Sequence, residues 1–184
     1  MRLFIASFIT EKDIKEAINL VQSELSNIPG KFKPVNSEII HFTYQFIGEV
    51  QPHIAEKIKN ELSQINFPEK FDALIKGVGV FPPKGNPRVV WAGVEEGSEN
   101  MIKLANNISS ALRSIGIKPD KSFKPHLTIA RVKFVNNMEL FNRWKEKFSS
   151  HVFGKQNISR FNLVKSILTR QGPIYKTVME YELR

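Results

Sequence analysis

Apolar and polar positions follow two periods along the chain, which predict strands alternating with helices. The apolar run from Leu3 to Phe8 predicts a buried first strand. Runs rich in β-branched and aromatic residues predict the other strands. These are Ile39 to Phe46, Phe71 to Val80, Val89 to Val94, Phe123 to Phe134, Phe161 to Thr169 and Tyr175 to Leu183.

Four helices are predicted between these strands. The first has an apolar stripe at Ile14, Ile18, Val21, Leu25 and Ile28, the spacing of one helical face. Thr10 and Ser98 are predicted as N-caps of the first and third helices, and Pro52 as the first residue of the second. The fourth is predicted from Met138 to Phe148.

The predicted elements recur once along the chain. Two His-x-Thr tripeptides begin at positions 41 and 126, the caps lie at 10 and 98, and two later strands begin at 71 and 161, a shift of 85 to 90 residues. This predicts an internal duplication in one domain of residues 1–184, with halves of approximately 1–88 and 89–184. Each half is predicted to form a strand–helix–strand–helix–strand lobe, with a cleft where the lobes meet.

Composition narrows the classes of protein. A chain of 184 residues with 41% hydrophobic residues and no cysteine is globular, and has no disulfide, thiolate nucleophile or Cys-ligated metal. No apolar run approaches the length of a membrane span. We therefore expect a cytoplasmic protein without a membrane partner. The net charge of +9 suits a phosphate-bearing partner or, equally, a lysine-rich soluble surface.

The candidate chemistry lies in His41-Phe42-Thr43 and His126-Leu127-Thr128. Residues two apart on a strand share a face, so each strand presents an imidazole beside a hydroxyl. Two such strands from facing lobes would place two histidines around one phosphodiester. One imidazole would then act as base and the other as acid, while the threonines hold the nonbridging oxygens.

The histidines and aromatic residues also have other interpretations. Either tripeptide alone would be attributed to structure, and it is their pairing within a repeat that favours function. His53 and His151 are predicted to be exposed bystanders, and no His-x3-His spacing supports a zinc site, so no metal or other cofactor is expected. The alternation Phe42, Tyr44, Phe46 is typical of a core stripe, the alternative being a base-stacking strip.

These motifs and their flanks resemble the two-histidine phosphoesterase superfamily, in its RNA 2′,3′-cyclic phosphodiesterase (2′-5′ RNA ligase-like) branch. The resemblance covers nearly the whole chain. Its segments are Arg2 to Ala6, His41 to Val50, Gly77 to Pro82, Pro87 to Val94 and Phe123 to Val132.

The resemblance implies an α+β, bilobal fold of two antiparallel sheets with outer helices around a central cleft, with pseudo-twofold symmetry. It also implies metal-independent opening of a terminal RNA 2′,3′-cyclic phosphate to a 2′-phosphate, with reverse 2′-5′ ligation in some members. His41 would protonate the departing 3′ oxygen, His126 would activate water, and Thr43 and Thr128 would hold the phosphate. The sequence departs from the family at Phe42 and at Tyr44-Gln45, where Leu and Leu-Ala are common.

Three further substrate contacts are expected at Phe46, Lys124 and Arg131. Strict alternation, however, points Arg131 away from His126, which argues against it as a phosphate ligand. The expected partner is RNA with a cyclic phosphate end, bound by a monomer. The alternatives are a phosphodiesterase of small cyclic nucleotides and a module that binds RNA ends without turnover.

Overall fold

A computed structural model describes residues 1–184 as nine strands and four helices. The helices are α1 (Lys12–Leu25), α2 (Pro52–Ser63), α3 (Ser98–Arg113) and α4 (Met138–Lys147), and one 3-10 turn covers Ser37–Ile39. The strands are β1 (Arg2–Phe8), β2 (Gly30–Pro34), β3 (His41–Glu49), β4 (Phe71–Phe81), β5 (Val89–Val94), β6 (His126–Val135), β7 (Val152–Ile158), β8 (Arg160–Thr169) and β9 (Gly172–Glu182).

The strands form two sheets, and every pair of neighbouring strands is antiparallel. The first sheet has the order β3-β1-β8-β9 and the second the order β2-β6-β5-β4-β7. The predicted α+β class with two antiparallel sheets is confirmed. No helix combines the length and hydropathy that crossing a lipid bilayer requires.

The helices bury the apolar stripes that the sequence predicts. In α1 the buried residues are Ile14, Ile18, Val21 and Leu25, and in α2 they are Ala55, Ile58 and Leu62. These side chains and one face of each sheet form a single core, which includes Ile5 and Phe42 of the first sheet and Ile75 and Leu127 of the second. Each large apolar side chain buried here contributes about 1.5–3 kcal/mol to folding. The core thus leaves the opposite face of each sheet free.

Each sheet takes strands from both halves of the sequence. The first contains β1 and β3 of residues 1–88 with β8 and β9 of residues 89–184, and the second joins β2 and β4 to β5, β6 and β7. The prediction of one self-contained lobe per half is therefore wrong in this respect. The order β3-β1-β8 in the first sheet corresponds to β6-β5-β4 in the second under the sequence shift, with β4 and β8 exchanged between the halves.

Some predicted boundaries are also wrong. The N-cap of α1 is Glu11 rather than Thr10, and it makes no side-chain cap bond. Instead Gln156 of β7 accepts from the backbone N–H groups of Thr10 and Glu11 through Oε1, at 2.8 and 3.2 Å. Its Nε2 donates to the Thr10 hydroxyl at 2.9 Å. A side chain of a distant strand thus binds the N-cap and the residue before it, a contact that no local pattern reveals.

The third helix differs from its prediction in the same way. Ser98 is its first helical residue, and the N-cap is Gly97 at φ +82°, a left-handed conformation that glycine adopts without strain. A Cβ at Gly97 would also collide with the Asp72 carbonyl. The glycine is therefore required both by its dihedral angle and by this close approach.

Candidate active site

The two His-x-Thr tripeptides stand at matching places, at the first residues of β3 and β6. Each imidazole is bonded in the same way through Nδ1. His41 Nδ1 lies 2.8 Å from the carbonyl oxygen of Ile39, and His126 Nδ1 lies 2.6 Å from that of Lys124. A carbonyl only accepts, so each Nδ1 donates its proton. The neutral rings therefore carry their free lone pair on Nε2, the atom available for proton transfer.

A β-bulge interrupts the alternation of β3 after Thr43. Against β1, Thr43 pairs with Ala6 and Gln45 with Ile5, so Tyr44 is the extra residue. Phe46 consequently pairs with Phe4 and lies on the face of His41 and Thr43, where it is 62% exposed. The prediction that Phe46 joins Phe42 in the core is wrong. Strict alternation would also place Gln45 on the histidine face, but Gln45 pairs with the core residue Ile5 and its side chain is buried.

A second bulge occupies the matching place in β6. Against β5, Thr128 pairs with Trp91 and Ala130 with Val90, which leaves Ile129 as the extra residue. Arg131 then pairs with Val89. Because paired residues share a face and Val89 and Trp91 are two apart, Arg131 returns to the face of Thr128. The prediction that Arg131 points away from His126 is therefore wrong, and Ala130 is buried instead.

Aromatic rings surround His41 on the first sheet. The centroids of Phe4, Phe8 and Tyr175 lie 5.1, 5.4 and 5.3 Å from the imidazole centroid, and Tyr175 meets it edge-on at 88°. Phe4 belongs to a small apolar cluster of its own on this face, separate from the main core. Burial lowers the pKa of His41, against a smaller opposing effect of its bond to Ile39.

His126 has a simpler aromatic environment on the second sheet. Phe81 meets its ring edge-on, with centroids 5.2 Å apart at 88°, and Phe81 also contacts Trp91 at 5.4 Å. The Trp91 ring fills the space where a Cβ of Gly79 would stand, which makes glycine necessary there. Burial lowers the pKa of His126, and the bond to Lys124 opposes this shift. Both imidazoles are therefore disposed to be neutral near pH 7.

The two sheets meet at β3 and β6, the strands that carry the histidine-bearing faces. Strands β3 and β6 are in contact, and the rings of Tyr44 and Phe123 pack at 5.4 Å between them. Burial raises the pKa of the Tyr175 hydroxyl, and the charges of Arg131 and Arg2 act against this shift. Arg131 of the second sheet thus lies near enough to affect Tyr175, which itself touches His41. The space between these faces is the candidate active site.

Three further residues singled out from the sequence are Lys124, His53 and His151. The side chain of Lys124 is exposed, and this residue contacts His126 through its backbone carbonyl, which accepts the Nδ1–H bond. His53 is exposed at the beginning of α2, as predicted. His151 is instead partly buried between Phe148 and Phe153, edge-on to both at 5.2 and 4.9 Å. No group of three or more His, Cys, Asp or Glu side chains is arranged to hold a metal ion.

Sequence reasoning missed two residues at this site, Tyr175 and Arg2. Tyr175 lies in no motif, and Arg2 only begins a segment that resembles the family. Their place at the site depends on β9 and β1 joining the same sheet on either side of β8. No spacing signal in the sequence indicates that the residue at the start of the last strand reaches the first histidine.

Comparisons with known proteins show the family to which the chain belongs. The LigT-like phosphoesterase family model matches the chain twice, over residues 9–91 and 93–175. An RNA 2′,3′-cyclic phosphodiesterase of Archaeoglobus fulgidus is 41% identical over 182 residues, which cover 99% of this chain and 100% of that protein. A protein of the same name from Aquifex aeolicus is 36% identical over 189 residues, covering 100% and 97% of the two chains.

A solved structure shows the same architecture. The crystal structure of a Thermus thermophilus protein superposes with a TM-score of 0.83 at 28% identity, covering 100% of this chain and 98% of that one. The family model spans most of both halves, and the relatives match over nearly their full lengths. The chain therefore belongs to the LigT-like phosphoesterase family.

Proposed function

We propose that the protein hydrolyses the terminal 2′,3′-cyclic phosphate of RNA to a 2′-phosphate, with His41 and His126 as an acid–base pair. The observation that carries this proposal is the matched arrangement of the two histidines. Each begins a strand, each donates Nδ1–H to the carbonyl two residues before it, and each has a threonine two residues later on the same face. The names of the A. fulgidus and A. aeolicus relatives support the substrate class.

The proposed reaction transfers two protons. His126 Nε2 takes a proton from water as the water oxygen forms its bond to phosphorus. The bond between phosphorus and the ribose 3′ oxygen breaks, and His41 Nε2 gives its proton to that oxygen. The 2′ ester bond remains, so the product carries a 2′-phosphate. The scheme needs no metal, because the two imidazoles supply both transfers, and its reversal would join RNA ends through a 2′-5′ linkage.

The phosphate would be held by Thr43 and Thr128. Their hydroxyls donate to nonbridging oxygens on which negative charge develops. Arg131 lies on the same face as Thr128, and its guanidinium would add a charge-assisted bond to that phosphate. Lys124 is exposed beside His126 and would act at longer range. All these groups come from one chain, so the proposed site needs no residue from a partner subunit, and we propose a monomer. An RNA substrate fits a cytoplasmic protein.

The terminal base would stack on Phe46. This ring is exposed on the face of His41, and it packs against the ring of Phe4 with centroids 6.1 Å apart. Aromatic stacking is the usual way in which proteins hold an unpaired base.

The product distinguishes this function from its alternatives. An oligoribonucleotide ending in a 2′,3′-cyclic phosphate, incubated with the protein and a chelator, should give only the 2′-phosphate, identified chromatographically against 2′- and 3′-phosphate standards. A 3′-phosphate product would mean that the other ester bond breaks. Binding without any product would support an RNA-end binding module.

In the same assay, Phe46→Ala should raise KM and leave kcat unchanged, because the terminal base loses its stacking partner. An unchanged KM would show that Phe46 is not part of the site.

The pH dependence should be bell-shaped, because one imidazole must be neutral while the other is charged. Burial lowers both histidine pKa values from the ordinary 6.5. The singly protonated free enzyme is then most abundant on the acid side of 6.5, where kcat/KM should peak. Bound phosphate raises the pKa of the acid, so kcat should peak at higher pH. Both profiles are measured at constant ionic strength, and a kcat/KM that keeps rising above neutral pH would contradict this expectation.

A further inference from the structure

Strand β2, which the sequence analysis did not predict, carries two lysines beside the candidate site. It is an edge strand, paired only with β6. Lys33 pairs with Arg131, and Lys31 pairs with Phe134 across a bulge at Lys133. The set Lys31, Lys33, Arg131 and Phe134 is here called the β2–β6 strip.

The packing of Phe32 shows which face these residues occupy. Its ring packs against the core and stacks on Phe141, with centroids 6.2 Å apart and planes at 4°. Lys31 and Lys33, on either side of Phe32, therefore point to the opposite face. That is the face of Arg131, and hence of Thr128 and His126. The strip is continuous with the face that holds the catalytic candidates.

The strip is basic without any compensating acid. Strands β2 and β6 contain Lys31, Lys33, Arg131 and Lys133, and neither contains Asp or Glu. None of the four forms an ion pair. Phe134 adds an exposed ring, at 48%. The three cations of the strip and its exposed aromatic ring are the kinds of group with which proteins hold single-stranded nucleic acid.

We propose that the β2–β6 strip binds the sugar–phosphate backbone of the nucleotides that precede the terminal one, which makes oligoribonucleotides the preferred substrates. This rests on the proposed function. A 2′,3′-cyclic phosphate closes the 3′ end, so the rest of an RNA leaves the site only on its 5′ side. Lys31 and Lys33 are spaced about 7 Å along the strand, comparable to the step between neighbouring phosphates in an extended single strand. Phe134 would stack on one of the preceding bases.

A structural explanation of the lysines makes a different prediction. Lysine on an edge strand prevents pairing with other chains, whatever the substrate. In that case, removing both charges would leave catalysis of every substrate unchanged and would alter only the tendency to aggregate.

The test compares two substrates in two variants. The substrates are cytidine 2′,3′-cyclic phosphate and a short single-stranded RNA ending in the same group. The test variant is Lys31→Gln/Lys33→Gln, and the matched control is Lys57→Gln/Lys103→Gln, which removes two exposed charges from α2 and α3. For the RNA, kcat/KM of the test variant should fall on the order of tenfold. The slope of log kcat/KM against log salt concentration should become less negative by about 1.4, because two phosphate contacts are lost. Mononucleotide turnover should be retained, which also shows that the variant is folded.

The outcomes separate this inference from the function on which it rests. No turnover of either substrate by the parent protein would overturn the proposed function itself. Parental turnover with equal RNA kcat/KM in the test and control variants would overturn the strip alone. An equal loss on both substrates in the test variant would also overturn it, because the lysines would then act on the reaction centre rather than on the preceding nucleotides.

Discussion

Alanine at position 41 or at position 126 is expected to lower kcat for cyclic phosphate hydrolysis by about 10²- to 10⁴-fold, with little change in KM. Each substitution removes one of the two proposed proton transfers and leaves Thr43, Thr128 and Arg131, the proposed phosphate ligands, in place. The double variant should be far less impaired than the product of the two single losses, because the two groups act in one step. Steady-state kinetics with an oligoribonucleotide that ends in a 2′,3′-cyclic phosphate measures kcat and KM of the two single variants and the double variant.

His53→Ala is the matched control, because His53 is exposed at the start of α2 and takes no part in the site. It should retain parental kcat. Undiminished turnover in His41→Ala or His126→Ala would refute the acid–base pair. The residual activities also test the roles: loss of the acid abolishes the alkaline limb of the pH profile, and loss of the base abolishes the acidic limb. We expect the former in His41→Ala and the latter in His126→Ala, and the reverse result would exchange the two roles.

Valine at position 43 or 128 is expected to lower kcat/KM by about 10²-fold in each case. Valine retains nearly the shape of threonine but has no donor for a phosphate oxygen, so charge that develops in the transition state loses one stabilising bond. Thr43→Ser and Thr128→Ser should restore most of the activity, because the hydroxyl returns. Kinetics of the four variants, together with the inhibition constant of inorganic phosphate, separates lost binding from lost catalysis.

Thr177→Val provides the control for this series. Thr177 is an exposed residue of β9, paired with Val164 on the same face of the first sheet as Thr43. Its substitution should leave kcat/KM unchanged. Equal, small effects at positions 43, 128 and 177 would mean that the threonines of the tripeptides hold the strands together and do not hold the phosphate.

Local patterns predicted those elements whose burial is periodic. The four helices and the strands around Phe42, Val90 and Leu127 bury apolar residues at regular spacing, whereas β1 was predictable from its continuous apolar run. β2 and β7 were missed because they are edge strands with much of their surface exposed, and their sequences, Gly-Lys-Phe-Lys-Pro and Val-Phe-Gly-Lys-Gln-Asn-Ile, are rich in polar residues and glycine. Their pairing is fixed by the strands beside them rather than by their own composition.

The candidate site was predictable only where it depends on residues close together in sequence. Each of the two histidines lies on the same face as the threonine two residues later, because no bulge lies between them. Phe46 and Arg131 lie beyond Tyr44 and Ile129, where one extra residue reverses every later side chain. Strict alternation assigned both to the wrong face for this single reason. The position of Tyr175 depends on the order of the strands in the sheet, which period and composition do not encode.

The exchange of strands between the two halves also determines how substrate can enter. The chain passes between the sheets four times, at β1–β2, β2–β3, β3–β4 and β7–β8. Helix α3, joined at both ends to the second sheet, packs against β3 of the first. A hinged opening of one sheet away from the other would strip this helix from its partner strand and expose apolar core. We therefore expect the two sheets to keep their relative position when substrate binds, so that a substrate must fit the space that lies between them in the unbound protein.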